Sequence, residues 1–329
     1  ADRQVFNVVL PLIRADLALT DQAMGLIATT FTAVYGILVP FAGMAGDLID
    51  RRKVVFLSLV VFSLGTLLTG VASSFLLLLL FRGVATGAGE AFYSPAAASL
   101  IGSAHERTRA RALSIHQTAN YTGIVLGSLV AGWVGQTWGW RAAFLVFGVG
   151  GLAWSVLLYV RARHFILPER HGPSNCSIPT EEPGLHRGQF SEALRLVLTT
   201  PALLGQLLAF GGLVFVIVGF LTWSPTLLYE RFRLSLADAG CFSVFYHHLL
   251  AYVGVVGAGW ATDRLIDKWP RVRLYAMAFG LIASGPCIWW GAQTTNLSEL
   301  YIALALFGLF RGIYDSGIFA AIFDFVDDR

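Results

Sequence analysis

Ten apolar stretches separated by short charged turns leave this chain few folds to choose from. Nine of them, at about 21–46, 53–72, 75–102, 112–137, 142–161, 202–230, 236–262, 272–291 and 298–323, reach or exceed the roughly 20 residues that cross a bilayer core as a helix. Residues 1 to about 15 give a shorter tenth. Hydrocarbon offers no hydrogen bonds, so each stretch must satisfy its backbone within itself, which means a helix. The chain is 56% hydrophobic and 13% charged, with mean hydropathy +0.68, whereas soluble domains carry about a quarter charged residues. It therefore reads as an all-α polytopic membrane protein embedded in a lipid bilayer.

The net charge of +3 has the sign of a nucleic-acid binder, but the basic residues lie in turns and form no face, so no nucleic-acid partner is expected. The turns 51–53, 105–111, 161–195, 264–273 and 324–329 hold sixteen Lys or Arg. The alternate turns hold four, Arg14, Arg141, Arg231 and Arg233, so the first set is expected to face the cytoplasm of a plasma membrane. Cys176, Cys241 and Cys287 have neither disulfide nor metal-ligand spacing, and no metal or cofactor is expected. A Ser-His-Asp set and a phosphate-binding Gly-Lys-Ser/Thr loop are both missing, so an enzyme or a built-in ATPase is not expected.

Between residues 161 and 189 four prolines alternate with charges, Gly and Ser, the composition of a linker. Residues 190–198 then place apolar side chains on one face, as a short helix on the bilayer surface does. The expected division is a helix bundle over 1–163, a cytoplasmic linker over 164–201 with this interfacial helix, and a second bundle over 202–329. Two signals recur six helices apart. Phe81-Arg82-Gly83 returns as Phe310-Arg311-Gly312, and Gly43-x3-Asp47 as Gly259-x3-Asp263-Arg264.

Asp2, Arg3, Arg82, Glu90, Arg311 and Asp315 fall inside the apolar stretches, where a charge costs at least about 2.5–3.5 kcal/mol and so marks a pair or an aqueous cavity. Arg311 and Asp315 are four apart and can pair, as a structural lock or as a substrate contact beside Tyr314. Arg82 and Glu90 sit about 12 Å apart along a helix and need other partners, for which Asp2 and Arg3 are the candidates. Glu90 follows Gly87-Ala-Gly89 and precedes Pro95, a run expected to thin and kink its helix, and is either a proton-coupling carboxylate or a fixed ion pair. His116, Asn120, Gly123 and Gly127 share a face next to Tyr121. That stripe suits a cavity wall, with His116 either binding an anion or proton or bonded to a neighbouring helix. Trp223, Tyr229, Tyr246, His247, His248 and Tyr252 offer further polar tips or interface anchors. Pro225 is expected to bend its helix as a gate hinge.

The turn Gly43-x3-Asp47-x3-Arg51-Arg52 resembles the loop signature of the major facilitator superfamily, with Asp50 where that family usually has Gly. Asp2-Arg3 in the first stretch and Arg82-x4-Gly87-x-Gly89-Glu90-x4-Pro95 in the fourth look like its Spinster-like branch and also its anion:cation symporter branch. The resemblance implies a fold of two six-helix bundles, here lacking the start of helix 1 and helices 11–12. It implies alternating-access transport of a small organic anion, or of a lysophospholipid-like amphiphile if Spinster-like, coupled to H+ or to Na+. Asp2, Arg3, Arg82 and Glu90 are the matching functional positions. Gly43, Asp47, Arg51, Arg52, Asp263 and Arg264 would form a conformational latch. A monomer is expected, and a non-transporting receptor or scaffold is the reading from another class.

Overall fold

A computed structural model describes residues 2–48, 50–104, 109–162, 198–266, 268–269 and 271–326. Residues 164–197 of the expected linker over 164–201, which include all but the last residue of the surface helix at 190–198, and the side chain of Asp47 lie outside the described residues. Among those described the structure is helical without strands: α1 (Asp2–Asp16), α2 (Asp21–Leu48), α3 (Arg51–Thr69), α4 (Phe75–Leu78), a π-helical stretch (Leu79–Ala85), α5 (Thr86–Ala104), α6 (Arg109–Trp138), α7 (Trp140–Ala162), α8 (Pro201–Glu230), α9 (Leu236–Leu265), α10 (Val272–Gln293) and α11 (Leu297–Val326).

Helix starts follow from local chemistry, because the first N–H groups of a helix need outside acceptors. Asp50, the departure from the family loop, caps α3 by accepting from the Arg52 N–H at 3.0 Å. Thr20 and Ser74 do the same for α2 and α4, and Ser235 accepts from the Asp238 N–H at the start of α9. The turn from α6 to α7 passes through Gly139 at φ +85°, a conformation that side chains disfavour.

Among the described residues eight helical segments are long and apolar enough to cross a membrane. The sequence count of nine full spans included α6, which is not among the eight; its first half carries the polar positions His116, Gln117 and Asn120. The fourth span also differs from expectation. Its irregularity lies at Leu79–Ala85, ahead of the Gly87–Pro95 run, and Pro95 sits inside α5, which continues to Ala104. The Thr86 N–H closes the wider π turn on the Phe81 carbonyl five residues back, and the Thr86 hydroxyl donates to the same oxygen at 2.9 Å. Gly65 of α3 makes room for that hydroxyl, since a methyl there would meet it at 2.8 Å.

The described residues form two compact units, one within Ala1–Arg170 plus Thr222–Cys241, the other within His171–Leu221 plus Phe242–Arg329. In the first unit α1 is the core helix, with Val5, Phe6, Val8, Val9, Leu10 and Ile13 essentially unexposed. Glycines bring backbones together where lipid provides no hydrophobic push. A methyl at Gly89 would meet the Phe62 nitrogen at 2.6 Å, and one at Gly148 the Leu67 Cα at 2.6 Å. The segment Thr222–Cys241 belongs to this unit: the Leu236 N–H donates 3.0 Å to Gln136, and a methyl at Gly132 would meet the Ala237 Cα at 2.5 Å. The second unit has its own core of Leu213, Ile217, Met277, Phe307, Tyr314 and Ile318. There Gly254, Gly308 and Gly312 press α9 and α11 together, backbone to backbone.

Candidate functional site

In the first unit long side chains link the start of α1 to the fourth span and bring four charged residues of the two segments together. Arg3 Nε donates 2.5 Å to Glu90, whose side chain is 14% exposed against 47% for Arg3. Arg82, 4% exposed, donates from Nη2 to the Arg3 carbonyl at 3.1 Å, while its Nη1 has no hydrogen-bond partner among the described residues. Asp2 accepts from the Thr66 hydroxyl at 3.3 Å. The ring of Phe31 serves both arginines, lying 4.7 Å from the Arg82 guanidinium and 5.1 Å from that of Arg3. Tyr35 adds a second face to Arg3 at 4.5 Å, and Phe6 one to Arg82 at 5.4 Å. These cation–π contacts stabilise desolvated guanidinia without adding a counter-charge.

The π stretch presents Arg82 from a backbone that the following α-helix does not share. Gly83 lets α2 approach, because a methyl there would lie 3.0 Å from Thr30. His116 of α6 is half-buried with its ring 6.3 Å from that of Tyr93 on α5. Asn120 is exposed and Tyr121 half-buried.

The second unit holds a separate group. Arg311 Nε lies 3.1 Å from Asp315, and Arg311 Nη1 lies 3.0 Å from Nε2 of the fully buried His247. Phe307 stacks on the His247 ring at 5.2 Å. Tyr314, 2% exposed, accepts from Gln206. Sequence reading left His247 among many aromatic and polar tips, because its partner lies 64 residues away and no spacing signals it.

Of the latch candidates, Asp263 pairs with Arg273 at 3.0 Å, Arg264 lies 3.8 Å over the Trp260 ring, and Arg51 and Arg52 open α3. Pro225 is buried inside α8, three residues beyond the Leu221/Thr222 boundary between the units. A proline there leaves the Leu221 carbonyl without its helical donor.

Sequence reading also missed two charge groups at helix ends. Arg14 pairs with Asp21 at 2.6 Å and with Glu230. Asp16 accepts from Arg141 at 2.5 Å and from the Trp140 indole at 3.1 Å, which holds its carboxyl below the usual range.

Charged groups on glycine-packed apolar helices, in two units that share the Phe-Arg-Gly signal, agree with a comparison to known proteins. The Major Facilitator Superfamily model matches residues 1–329. The chain belongs to that superfamily. As a major facilitator protein it is 24% identical to the hexuronate transporter of Bacillus subtilis, over 100% of this chain and 77% of that one. It is 26% identical to a probable sulfoacetate transporter of Cupriavidus necator, over 94% and 72% of the two chains. Human protein spinster homolog 1 is 30% identical over 87% of this chain and 56% of its own length. In fold it is similar to a bacterial homolog of Spinster, solved in an inward-facing and unoccupied conformation, with TM-score 0.77, 23% identity and coverage of 97% and 71%. These relatives are transporters and not enzymes, and the chain is a multi-pass membrane transporter of the major facilitator type.

Proposed function

We propose that the chain moves a small organic anion across the membrane by alternating access, with a proton as the coupling ion. The observation that carries this reading is the Arg3–Glu90 pair with Arg82 and Asp2 beside it. With both acids ionised the two arginines balance them. One proton on either acid leaves a net positive charge beside Arg3 and Arg82, which attracts an anion; deprotonation cancels that charge and favours release. Proton and anion then bind as a linked pair. Relatives named for hexuronate and sulfoacetate support the anionic class.

On this reading Asp2, Arg3, Arg82 and Glu90 couple the ion and contact substrate, His116, Asn120 and Tyr121 line the path, and Arg311, with Tyr314 and Asp315 beside it, contacts the substrate anion from the second bundle. The bundles are 1–163 and 202–329, joined by a cytoplasmic linker over 164–201, in a monomer in a plasma membrane. The turn around Asp47, with Gly43, Arg51, Arg52, Asp263 and Arg264, latches one end state. Pro225 is the hinge, which the unit boundary three residues before it supports.

A lysophospholipid-like amphiphile is the second reading, favoured by the spinster homologs among the relatives. The test is reconstitution of the complete protein in liposomes holding a pH indicator, with D-glucuronate, sulfoacetate or a lysophospholipid supplied outside. A saturable, carboxylate-driven proton flux that Glu90→Gln abolishes is expected. Undiminished coupling in Glu90→Gln would remove this residue from the mechanism, flux that depends on sodium instead would name the other cation, and binding without flux would indicate a receptor.

A further inference from the structure

We infer that His247 is a positioning residue for Arg311, acting as a neutral imidazole whose Nε2 lone pair holds the guanidinium in the pose that meets a substrate anion. The inference rests on the reading of Arg311 as an anion contact. A guanidinium has five N–H donors and no lone pair to offer. The 3.0 Å contact between Arg311 Nη1 and His247 Nε2 is therefore a hydrogen bond only if Nε2 accepts, and that places the ring proton on Nδ1. A doubly protonated ring would set two cations against each other and lose the bond.

The surroundings fit a fixed tautomer. His247 is unexposed, and its Nδ1 has no hydrogen-bond partner among the described residues. A buried donor left unpaired is destabilising, whereas a ring of similar size without nitrogens would leave none. Packing alone thus disfavours a histidine at this position, and the contribution that offsets the unpaired donor is the bond made by Nε2. Helix motion cannot easily take the two residues apart, since Gly308 abuts the His247 carbonyl and Gly312 the Ala251 carbonyl. Phe307 stacks on the imidazole at an interplanar angle of 19°, fixing its plane. Arg311 is then bracketed, by the Asp315 carboxylate in ion-pair contact 3.1 Å from Nε, outside hydrogen-bond geometry, and by the His247 hydrogen bond on Nη1. Its remaining N–H groups stay available, and its side chain keeps 18% of its exposure, enough for an anion to reach one edge.

Three substitutions separate positioning from packing. Glutamine places its amide oxygen where Nε2 was and can still accept from Arg311. Asparagine is too short to do so, and phenylalanine keeps the shape without an acceptor. In the complete transporter, with D-glucuronate and sulfoacetate as probes, His247→Phe and His247→Asn are expected to weaken the dissociation constant about tenfold. His247→Gln is expected to stay within about threefold of wild type, on the same scale. Equal weakening in Gln and Phe, or none in Phe, overturns the inference.

Nitrogen-15 spectra of histidine-labelled wild-type protein give a readout independent of binding. The resonance lost in His247→Gln must be the neutral Nδ1–H tautomer; an Nε2–H tautomer overturns the inference outright. Failure of both probes to bind wild type would instead sink the organic-anion reading and with it the anion contact at Arg311, while the tautomer would still decide whether the Arg311–His247 bond exists.

Discussion

The tripeptide Phe-Arg-Gly occurs twice, six helices apart, and its two settings agree in one respect and differ in another. The glycine does the same job in both: Gly83 admits α2 at Thr30, and Gly312 admits α9 at Ala251, so helices four and ten each press against the helix two places earlier. The arginines diverge. Arg311 lies in a regular helix and takes its counter-charge from Asp315 one turn on. Four residues after Arg82 stands Thr86, whose hydroxyl goes to the backbone carbonyl on which the π turn closes, while the acid is displaced to Glu90 and taken by Arg3 of α1. Helix ten neutralises its arginine locally and helix four across helices. An ion pair that spans two helices is the kind a binding event can break and remake, and this is where the proposed coupling is placed.

The largest effects should come from removing the charges. Arg311→Met strands Asp315 and is expected to cost about 3 kcal/mol, seen as a lowered unfolding midpoint, and Asp315→Asn added to it should restore most of the loss. Arg82→Met should not be restored by Glu90→Gln, because the hydrogen bond of Arg82 goes to a carbonyl and its faces to rings. Next come the glycines. Gly312→Val is expected to cost about 1–3 kcal/mol by overpacking, and Gly83→Val less, since a backbone oxygen cannot yield as the Thr30 side chain can.

Thr86→Asp makes helix four imitate helix ten. It should pair with Arg82, draw it from the Arg3 carbonyl and abolish proton coupling, while hydrogen exchange over Leu79–Ala85 slows as the stretch becomes α-helical. The smallest effect is at Asp16. Its carboxyl is held below the usual range in the folded protein, so its contribution to stability is present at neutral pH and fades as pH falls through that lowered range. Asp16→Asn should therefore lower the unfolding midpoint slightly at pH 7 and not at all in strong acid.

Most helix limits were legible because hydrophobicity and charged turns announce them; the expected starts at about 21, 75 and 236 coincide with Asp21, Phe75 and Leu236. Charges inside apolar stretches marked Asp2, Arg3, Arg82, Glu90, Arg311 and Asp315 for the same reason, that lipid tolerates few of them. The π stretch was not legible: one wider turn leaves the apolar pattern unchanged, and threonine in a helix usually bonds three or four residues back. Proline drew attention to residue 95 while the departure lay at Leu79–Ala85. His247 escaped because its role depends on which atom of Arg311 it meets, and Asp16 and Glu230 because acids at helix ends are ordinary.

The central claim is that charges kept at hydrocarbon depth border water that opens to each side in turn. Single cysteines at Asn7, beside the Arg3 cluster, and at Ser316, beside Asp315, can be tested on a background with Cys176, Cys241 and Cys287 replaced by serine. A membrane-impermeant maleimide should label both positions from either face of the membrane, with substrate shifting the balance between faces. Labelling from one face alone regardless of substrate, or none at all, would contradict the account.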